Sequence, residues 1–374
     1  MEIRRWRDYN WPLLVCVAVL LIIGVLALYS ATLTAVAVNG APLSTIFPRQ
    51  IVYIVVGLVM MFFATIFDYQ LLSSLARPIY IGMVVVLVVV LVIGQVSEGA
   101  QSWLAFGERT FQPSEVGKLV LVLALASYWG RYEASRDSWA TQLGGLLIAS
   151  APLLLVLIQP DLGSAIVYGT IWLVMAWGTG MRWQQAVLLM LLAVPTSYLA
   201  WVRILDDYQR VRLLTFYYLL TDPSKVDFNA GYNVIQALSA ISAGGWVGTG
   251  LTRGLFSQGN YVPVQHTDFI FAVVGEELGF VGGLVLIVFE GLLLWQALSV
   301  AEQSRDLFGR LLALGVFALI FSHVLINIGM NLSILPVTGL PLPFVSAGGS
   351  FMITVLVGVG LLQSVALRRK RLAF

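Results

Sequence analysis

Ten apolar stretches alternate with polar segments along the chain. A helix of about 20 apolar residues is needed to cross the hydrocarbon core of a membrane, and each stretch is close to that length. The predicted spans are residues 11–31, 48–67, 78–96, 112–129, 142–159, 162–179, 183–202, 269–296, 310–330 and 344–367. The pattern therefore predicts an all-α polytopic membrane protein of about ten transmembrane helices.

Lysine and arginine predict the orientation of these spans, because short cytoplasmic segments are enriched in both residues. With the N-terminus inside, the cytoplasmic segments carry 13 of the 21 basic residues: Arg4, Arg5, Arg7, Arg77, Arg131, Arg136, Arg182, Arg305, Arg310, Arg368, Arg369, Lys370 and Arg371. Ten spans then place both termini in the cytoplasm. We interpret the first apolar run as a retained helix rather than a cleaved signal sequence.

One polar segment, residues 203–267, is much longer than the others and precedes the eighth predicted helix. The orientation makes it a long extracytoplasmic loop within a single transmembrane domain, residues 1–374. Residues 231–238 have the pattern of a short amphipathic helix on the outer membrane surface. Several glycines follow between residues 244 and 259, which suit close backbone approach to a ligand, tight re-entrant turns or movement of the loop. Loops of this length are usually functional.

Composition supports a membrane location and excludes several other classes. The chain is 59% hydrophobic and 11% charged, whereas a soluble domain is about 25% charged. Its net charge of +2 does not indicate a nucleic-acid partner. Cys16 is the single cysteine, which excludes an intrachain disulfide and a cysteine metal cluster. We also expect no zinc site and no organic cofactor.

Asp268 is the strongest candidate for a catalytic residue. It follows His266 and Thr267 at the boundary between the long loop and the eighth predicted helix. An acid costs about 2.5–3.5 kcal/mol at the bilayer centre and less at the interface, so its position is tolerable but is not explained by stability. One interpretation is a general base at the outer interface. The structural alternative is a helix N-cap, a role that suits Thr267 and Asp268, and residue type leaves both open.

Basic side chains are predicted near the same membrane face. Lys118 lies three residues after Glu115 on one face of the fourth predicted helix, where the two residues could form an ion pair. Arg203, Arg210 and Arg212 open the long loop, and arginine forks match phosphate oxygens. Together with Lys118 they predict a pyrophosphate clamp with Glu115 positioning the lysine. The alternatives are a purely structural ion pair and solvated arginines.

Other polar residues have simpler interpretations. Asp161 lies in a tight hairpin between two spans, where it is expected to be a turn or cap residue. His323 in the ninth span is expected to be a packed histidine. Glu276 and Glu277 need partners inside the membrane, and the residue pattern leaves open whether they are structural.

Several motifs together resemble the SEDS family (shape, elongation, division and sporulation) over nearly the whole chain. They are residues 111–115 with Lys118, 159–163, 231–236, 266–271, 275–279 and 327–330. Gln265 and residues 335–343 favour the elongation branch over the division branch. Pro263-Val264 and residues 346–351 depart from the usual family pattern without involving Asp268.

The resemblance implies ten transmembrane helices and peptidoglycan glycosyltransferase activity on lipid II during cell elongation. A sugar 4-hydroxyl would attack an anomeric carbon at the outer face of the cytoplasmic (inner) membrane and expel undecaprenyl pyrophosphate. Asp268 matches the essential acid of the family, and Glu115, Lys118 and Asp161 match other functional positions. His266 and Thr267 are expected to contact substrate beside Asp268.

The resemblance also implies partners, namely a class B penicillin-binding transpeptidase and other membrane proteins of the elongation complex. A divalent cation, Mg²⁺ or Mn²⁺, could bridge the pyrophosphate oxygens, although the sequence contains no closed protein cage for one. The alternatives are a division-branch enzyme of the same activity, a lipid II flippase and a non-catalytic scaffold. A flippase would need a polar site at the membrane midplane.

Overall fold

The computed structural model describes residues 9–34, 45–97, 100–106, 109–203, 205, 207–222, 225–226 and 228–368. The basic terminal residues Arg4, Arg5, Arg7, Arg369, Lys370 and Arg371 lie outside this range. The helices are α1 (Trp11–Leu33), α2 (Ile46–Ile66), α3 (Tyr69–Ile93), α4 (Pro113–Arg131), α5 (Trp139–Ile158), α6 (Leu162–Gly178), α7 (Trp183–Arg203), α8 (Asp207–Thr221), α9 (Phe228–Gly244), α10 (Leu255–Gln258), α11 (Ile270–Glu302), α12 (Leu307–Asn331) and α13 (Gly349–Ala366).

The prediction of a polytopic membrane protein is confirmed. Seven helices in the described part are long and apolar enough to span a membrane, namely α1, α2, α3, α5, α11, α12 and α13. The shorter α6 and the first part of α7 are also apolar, and α4 carries Glu115, Lys118 and Arg131 within 19 residues. These ten helices coincide with the ten predicted stretches. The largest difference is in α3, which begins at Tyr69 because Asp68 caps it by accepting from the Gln70 amide.

The segment 203–267, predicted as a long extracytoplasmic loop with one short helix, contains more helix than expected, because most of it is helical in α8, α9 and α10. The short surface helix expected over residues 231–238 is part of the longer α9. Val234, Ala237 and Ala240 of that helix are buried, at a spacing that places them on one face. The helix α9 therefore packs into the protein, mainly against α11.

Three short strands between α3 and α4 were also missed by the sequence pattern. They are β1 (Gln95–Ser97), β2 (Ala100–Phe106) and β3 (Arg109–Phe111). They pair in the order β1-β2-β3 as an antiparallel sheet, with Leu104 opposite Phe111. The strands have three to seven residues and lie directly after an apolar span, so no long alternating pattern marks them.

The helix α11 is broken at Gly279, where the backbone has φ 67° and ψ −167°. Backbone groups of the segment 244–250 form hydrogen bonds with the backbone of α11 on both sides of the break. The amide of Gly250 donates to Glu277 O at 3.1 Å, and the amide of Phe280 donates to Gly245 O at 2.8 Å. Backbone groups released inside a membrane protein need such partners. The glycines of this segment therefore serve backbone-to-backbone packing rather than ligand approach.

Glu276 and Glu277 fasten the broken helix to the segment that follows α9. The Glu276 carboxylate accepts from the amides of Phe256 and Ser257 at 2.7 and 2.8 Å. Glu277 accepts from the hydroxyls of Ser30 and Ser257 at 2.6 and 3.0 Å. Both carboxylates are buried, and the structure favours the structural interpretation of this pair.

The core is centred on α4 and α12, which are buried along most of their length. The helix α12 packs against α4, α6 and α11. The first residues of α4, α6 and α11 meet the last turn of α12 at one end of the bundle, because Gln112 contacts Asp161 and Asn331 contacts Asp268. This end carries the candidate chemistry.

Candidate active site

Hydrogen bonds to the main chain of Asp268 fix its position just before α11. Its carbonyl oxygen accepts from Asn327 Nδ2 at 2.9 Å and from Asn331 Nδ2 at 3.0 Å, and the residue is buried. The N-cap position of α11 is Phe269 rather than Asp268. The Ala272 amide donates to Asn331 Oδ1 at 3.2 Å. The first turn of the helix is therefore supported from α12, and Asp268 lies one residue before the N-cap position.

Gly339 is the point at which Asp268 and Arg212 converge. Its φ of 76° lies in the left-handed region that favours glycine. A side chain added there would lie 3.4 Å from Asp268 Oδ2 and 4.0 Å from Arg212 Nη1. Arg212 Nη1 also lies 3.5 Å from Val337 O, which accepts its hydrogen bond. The structure thus brings a carboxylate and a guanidinium close to the Cβ position of one glycine.

A cavity of about 130 Å³ opens beside this glycine. Six of its lining residues are Trp103, Gln112, Asp161, Gln209, Arg212 and Gly339. Ser102 Oγ and Thr338 Oγ1, from two further lining residues, are buried without a hydrogen-bond partner in the described part of the chain. The cavity therefore combines an aromatic surface, both signs of charge and unsatisfied hydroxyls.

Asp161 has the cap role that its hairpin position predicts. Its Oδ1 accepts from the Ser164 amide at 2.9 Å at the start of α6. Its Oδ2 accepts from Gln112 Nε2 at 3.1 Å and lies at the cavity. The same carboxylate can therefore cap the helix and face a ligand, although a substrate contact stays a prediction.

Glu115 and Lys118 form the predicted ion pair, with Lys118 Nζ 2.8 Å from Glu115 Oε1. The lysine is fully buried and also contacts His323 Nε2 at 3.1 Å. His323 packs as expected, stacked on Phe351 with ring centroids 4.4 Å apart. Lys118 does not line the cavity. The structure therefore places it outside the cavity lining, against Glu115 and His323.

The predicted clamp of three arginines does not form. Arg203 is exposed at the end of α7. Arg210 pairs with Asp207 at 3.3 Å and donates to Val202 O at 3.4 Å. Arg212 alone of the three reaches Gly339. Residues two apart on a helix do not share a face, so Arg210 and Arg212 extend from different sides of α8.

His266 and Thr267 fix the turn that leads to Asp268. The His266 carbonyl accepts from the Ala347 amide at 2.9 Å, and the Thr267 carbonyl accepts from Ser346 Oγ at 2.5 Å. Burial lowers the pKa of the His266 imidazole. These contacts use backbone atoms, and side-chain contact of either residue with substrate stays a prediction.

A resident metal has no ready-made cage in the described residues, since no three His, Cys, Asp or Glu side chains gather there. Mg²⁺ sites, however, often use one or two carboxylates together with phosphate oxygens of the substrate. Asp161 at the cavity and Asp268 at Gly339 are carboxylates of that kind. The residues present therefore fit a cation that arrives with a phosphate ligand.

Sequence reasoning alone missed the importance of Asn327, Asn331 and Gly339. The two asparagines are four apart in an apolar helix, and such a polar pair is itself a signal of a buried hydrogen-bonded contact. Gly339 lies in a segment rich in proline and glycine, where the pattern indicates turns but not which glycine faces the acid.

The chain matches the family model described as cell cycle protein, FtsW/RodA/SpoVE, over residues 11–371. Among curated proteins it is similar to the peptidoglycan glycosyltransferase MrdB of Escherichia coli K12, with 37% identity over 95% of this chain and 94% of that protein. It is also 31% identical to the peptidoglycan glycosyltransferase RodA of Treponema pallidum, over 99% of this chain and all of that protein. A probable peptidoglycan glycosyltransferase FtsW of Geobacter metallireducens is 32% identical over 99% and 98% of the two chains.

Two solved structures are also similar to this chain. A chain from a peptidoglycan synthase complex, described as coordinating polymerization and crosslinking, superposes with a TM-score of 0.81 at 32% identity and covers 97% of this chain and 99% of its own. The rod shape determining protein RodA of Thermus thermophilus superposes with a TM-score of 0.70 at 30% identity, over 98% and 99% of the two chains. The chain therefore belongs to the FtsW/RodA/SpoVE family, also known as the SEDS family.

Proposed function

We propose that the protein is a peptidoglycan glycosyltransferase that polymerises lipid II, with Asp268 as the general base. The observation that carries the proposal is the convergence of Asp268 and Arg212 at Gly339, beside a cavity. The activity is the one printed for the relatives MrdB and RodA. A glycosyl transfer with an anionic leaving group requires a carboxylate to accept the hydroxyl proton and a nearby cation to stabilise the leaving group.

In the proposed reaction the 4-hydroxyl oxygen of one sugar bonds to the anomeric carbon of another. The bond from that carbon to the pyrophosphate oxygen breaks, and the hydroxyl proton passes to the Asp268 carboxylate. Arg212 offsets the charge that develops on undecaprenyl pyrophosphate. Partial burial of the acid and the cation strengthens their electrostatic effect relative to water.

The remaining groups at the cavity are suited to binding a sugar and its phosphates. Trp103 offers an aromatic surface, and Ser102 and Thr338 offer hydroxyls that lack partners within the described part of the chain. A divalent cation, Mg²⁺ or Mn²⁺, bound with the phosphates would add positive charge at the leaving group. Asp161, which lines the cavity, is the carboxylate that would hold it, and Asp268 stays available as the base.

The setting of the reaction is also part of the proposal. The distribution of basic residues supports placing the Asp268 end of the bundle at the outer face of the membrane, with both termini in the cytoplasm. A role in elongation is supported by the Gln265 and 335–343 patterns and by similarity to a rod shape determining protein. A class B penicillin-binding transpeptidase is the proposed partner, in keeping with the similar chain from a synthase complex.

The test is polymerisation of fluorescent lipid II by purified protein in liposomes, with the transpeptidase partner present. Asp268→Asn is expected to abolish glycan strands, whereas Asp207→Asn, an exposed acid at the start of α8, should leave them unchanged. Near-normal polymerisation by Asp268→Asn would end the general-base assignment. Transfer of lipid II between leaflets without polymerisation by the wild type would favour a flippase.

A further inference from the structure

One face of α12 carries three buried polar side chains at successive four-residue intervals. These are His323, Asn327 and Asn331, each fully buried. Residues four apart share a helix face, and α12 is otherwise strongly apolar. We call these three residues the polar ladder. Buried polar groups in a membrane helix are costly unless they are bonded, and each member of the ladder is bonded.

The polar ladder reaches the two segments that meet at Gly339. Asn331 bonds the Asp268 carbonyl and the Ala272 amide. His323 Nδ1 lies 3.0 Å from the Pro341 carbonyl. Both contacts are to main-chain atoms, so the ladder fixes the course of the backbone before α11 and after Gly339.

Asn327 joins the two segments through one amide nitrogen. Its Nδ2 donates to Asp268 O at 2.9 Å and to Leu340 O at 2.8 Å. Each NH₂ group has two hydrogens, so both are used. Asp268 and Leu340, the residue directly after Gly339, are thereby bonded to the same nitrogen atom.

His323 connects the ladder to the buried ion pair of α4. A carbonyl oxygen can only accept, so Nδ1 carries the hydrogen that is donated to Pro341 O. Nε2 of the neutral ring is then the acceptor for Lys118 Nζ at 3.1 Å. Lys118 is itself fixed by Glu115 at 2.8 Å. The chain of contacts therefore runs from Glu115 to the carbonyl of Pro341.

We infer that the polar ladder is a positioning device that sets the separation of Asp268 from the Gly339 segment and from Arg212 beyond it. Asn327 is its central positioning residue, and Lys118 acts on the site through His323 rather than by touching pyrophosphate. This inference rests on the proposed function only for its kinetic consequence. The geometry itself is open to a separate measurement.

The first experiment compares two matched substitutions, Asn327→Leu and Asn331→Leu. Each removes one buried amide from the same helix face, so a purely structural loss would be similar in both. Asn331→Leu leaves the Asn327 bonds to Asp268 and Leu340 in place. We expect Asn327→Leu to lower kcat for lipid II about 10²-fold with little change in KM, because misplacement by about 1 Å costs that much. A smaller loss of kcat is expected for Asn331→Leu. Equal losses, or a change mainly in KM, would overturn the inference.

Hydrogen exchange on the same two variants separates this inference from the proposed function. In Asn327→Leu, amides of residues 264–272 and 340–347 should exchange faster, while those of α2 stay as in the wild type. Faster exchange throughout would mean general destabilisation and would contradict a positioning role. The exchange result stands whether or not the wild type polymerises lipid II, whereas an inactive wild type with partner present refutes the proposed function.

A double-mutant cycle tests the route through His323. If Lys118 acts through that ring, Lys118→Met and His323→Phe should each lower kcat, and the double variant should be no worse than the poorer single variant. The alternative is that the double variant loses kcat by the product of the two single losses, and that only Lys118→Met binds pyrophosphate more weakly. That result would show that the lysine touches the leaving group directly.

Discussion

At the scale of single residues, two arginines of one helix differ sharply in environment. Arg212 reaches Gly339 near Asp268, whereas Arg210, two residues earlier on α8, pairs with Asp207. We expect Arg212→Ala to lower polymerisation by about tenfold or more, since it removes one charge-assisted contact to the leaving group. Arg210→Ala, the matched control, should stay near the wild-type rate. Both are measured with lipid II under single-turnover conditions, and equal effects would contradict this assignment.

His266 gives stability a dependence on pH. Burial lowers the pKa of its imidazole from the ordinary 6.5, so the unfolded chain binds this proton more readily than the folded protein does. Stability is therefore lost as pH falls through about 6.5. The Tm of His266→Gln should fall less than that of the wild type between about pH 7.5 and pH 5.5. An identical fall in both proteins would mean that His266 does not contribute to it.

The residue pattern identified Asp268 and the Glu115–Lys118 pair because position in the sequence already constrains them. The acid lies at a helix boundary, and residues three apart on a helix are neighbours. It could not separate Arg212 from Arg203 and Arg210, because the rotation of α8 decides which of them faces Gly339. It grouped Lys118 with the loop arginines in a pyrophosphate clamp, and it could not show that the lysine is buried against His323, since that contact depends on the packing of α12.

At the scale of elements, the break in α11 depends on glycines that lack room for a side chain. An added Cβ at Gly244 would collide with the backbone of Gly275 and Glu276. We expect Gly244→Ala to destabilise the protein by about 1–3 kcal/mol or more, because packed backbone cannot easily move. Gly82→Ala in α3, where nothing lies within 4 Å, is the control and should be neutral. Thermal unfolding in detergent measures both, and a tolerated Gly244→Ala would contradict the rigid packing.

The glycine-rich segment shows why some elements could not be predicted. Its composition suggested close backbone approach to a ligand, but the neighbour is the interrupted helix α11, which a single sequence cannot identify. Gly244 and Gly248 are both packed against that helix, so they are poorly suited to act as hinges of a moving loop. Similarly, α8 has a mixed face of charged, aromatic and aliphatic residues, and its pattern does not indicate one buried side.

At the scale of the whole molecule, the ten apolar stretches and their order were predictable because the membrane requires long apolar helices. The way in which these helices pack against one another was not predictable. Two of the most buried helices, α4 and α12, carry buried polar side chains such as Lys118, His323 and Asn327. Hydropathy does not reveal which spans occupy the centre when the central ones are also the more polar ones.

The helix α8 links the surface of the molecule to the site, and this favours control by a partner. It carries Arg212, while its Tyr217 and Leu220 side chains are exposed. A change in the position of α8 would therefore change the separation of Arg212 from Asp268. A partner that binds one position of α8 more tightly shifts its population by no more than its difference in affinity for the two positions.

We accordingly expect the purified protein to be nearly inactive alone and to gain about tenfold or more in polymerisation rate with a class B penicillin-binding transpeptidase, whose crosslinking activity is blocked with a β-lactam. Gln209 docks α8 on the α6 hairpin by donating to Pro160 O at 3.0 Å. Gln209→Leu should lower the rate without the partner and increase the factor by which the partner stimulates. Asp207→Asn, on the exposed side of the same helix, should change neither. Full polymerisation by the wild type alone would contradict control through α8, as would equal stimulation of the wild type and Gln209→Leu.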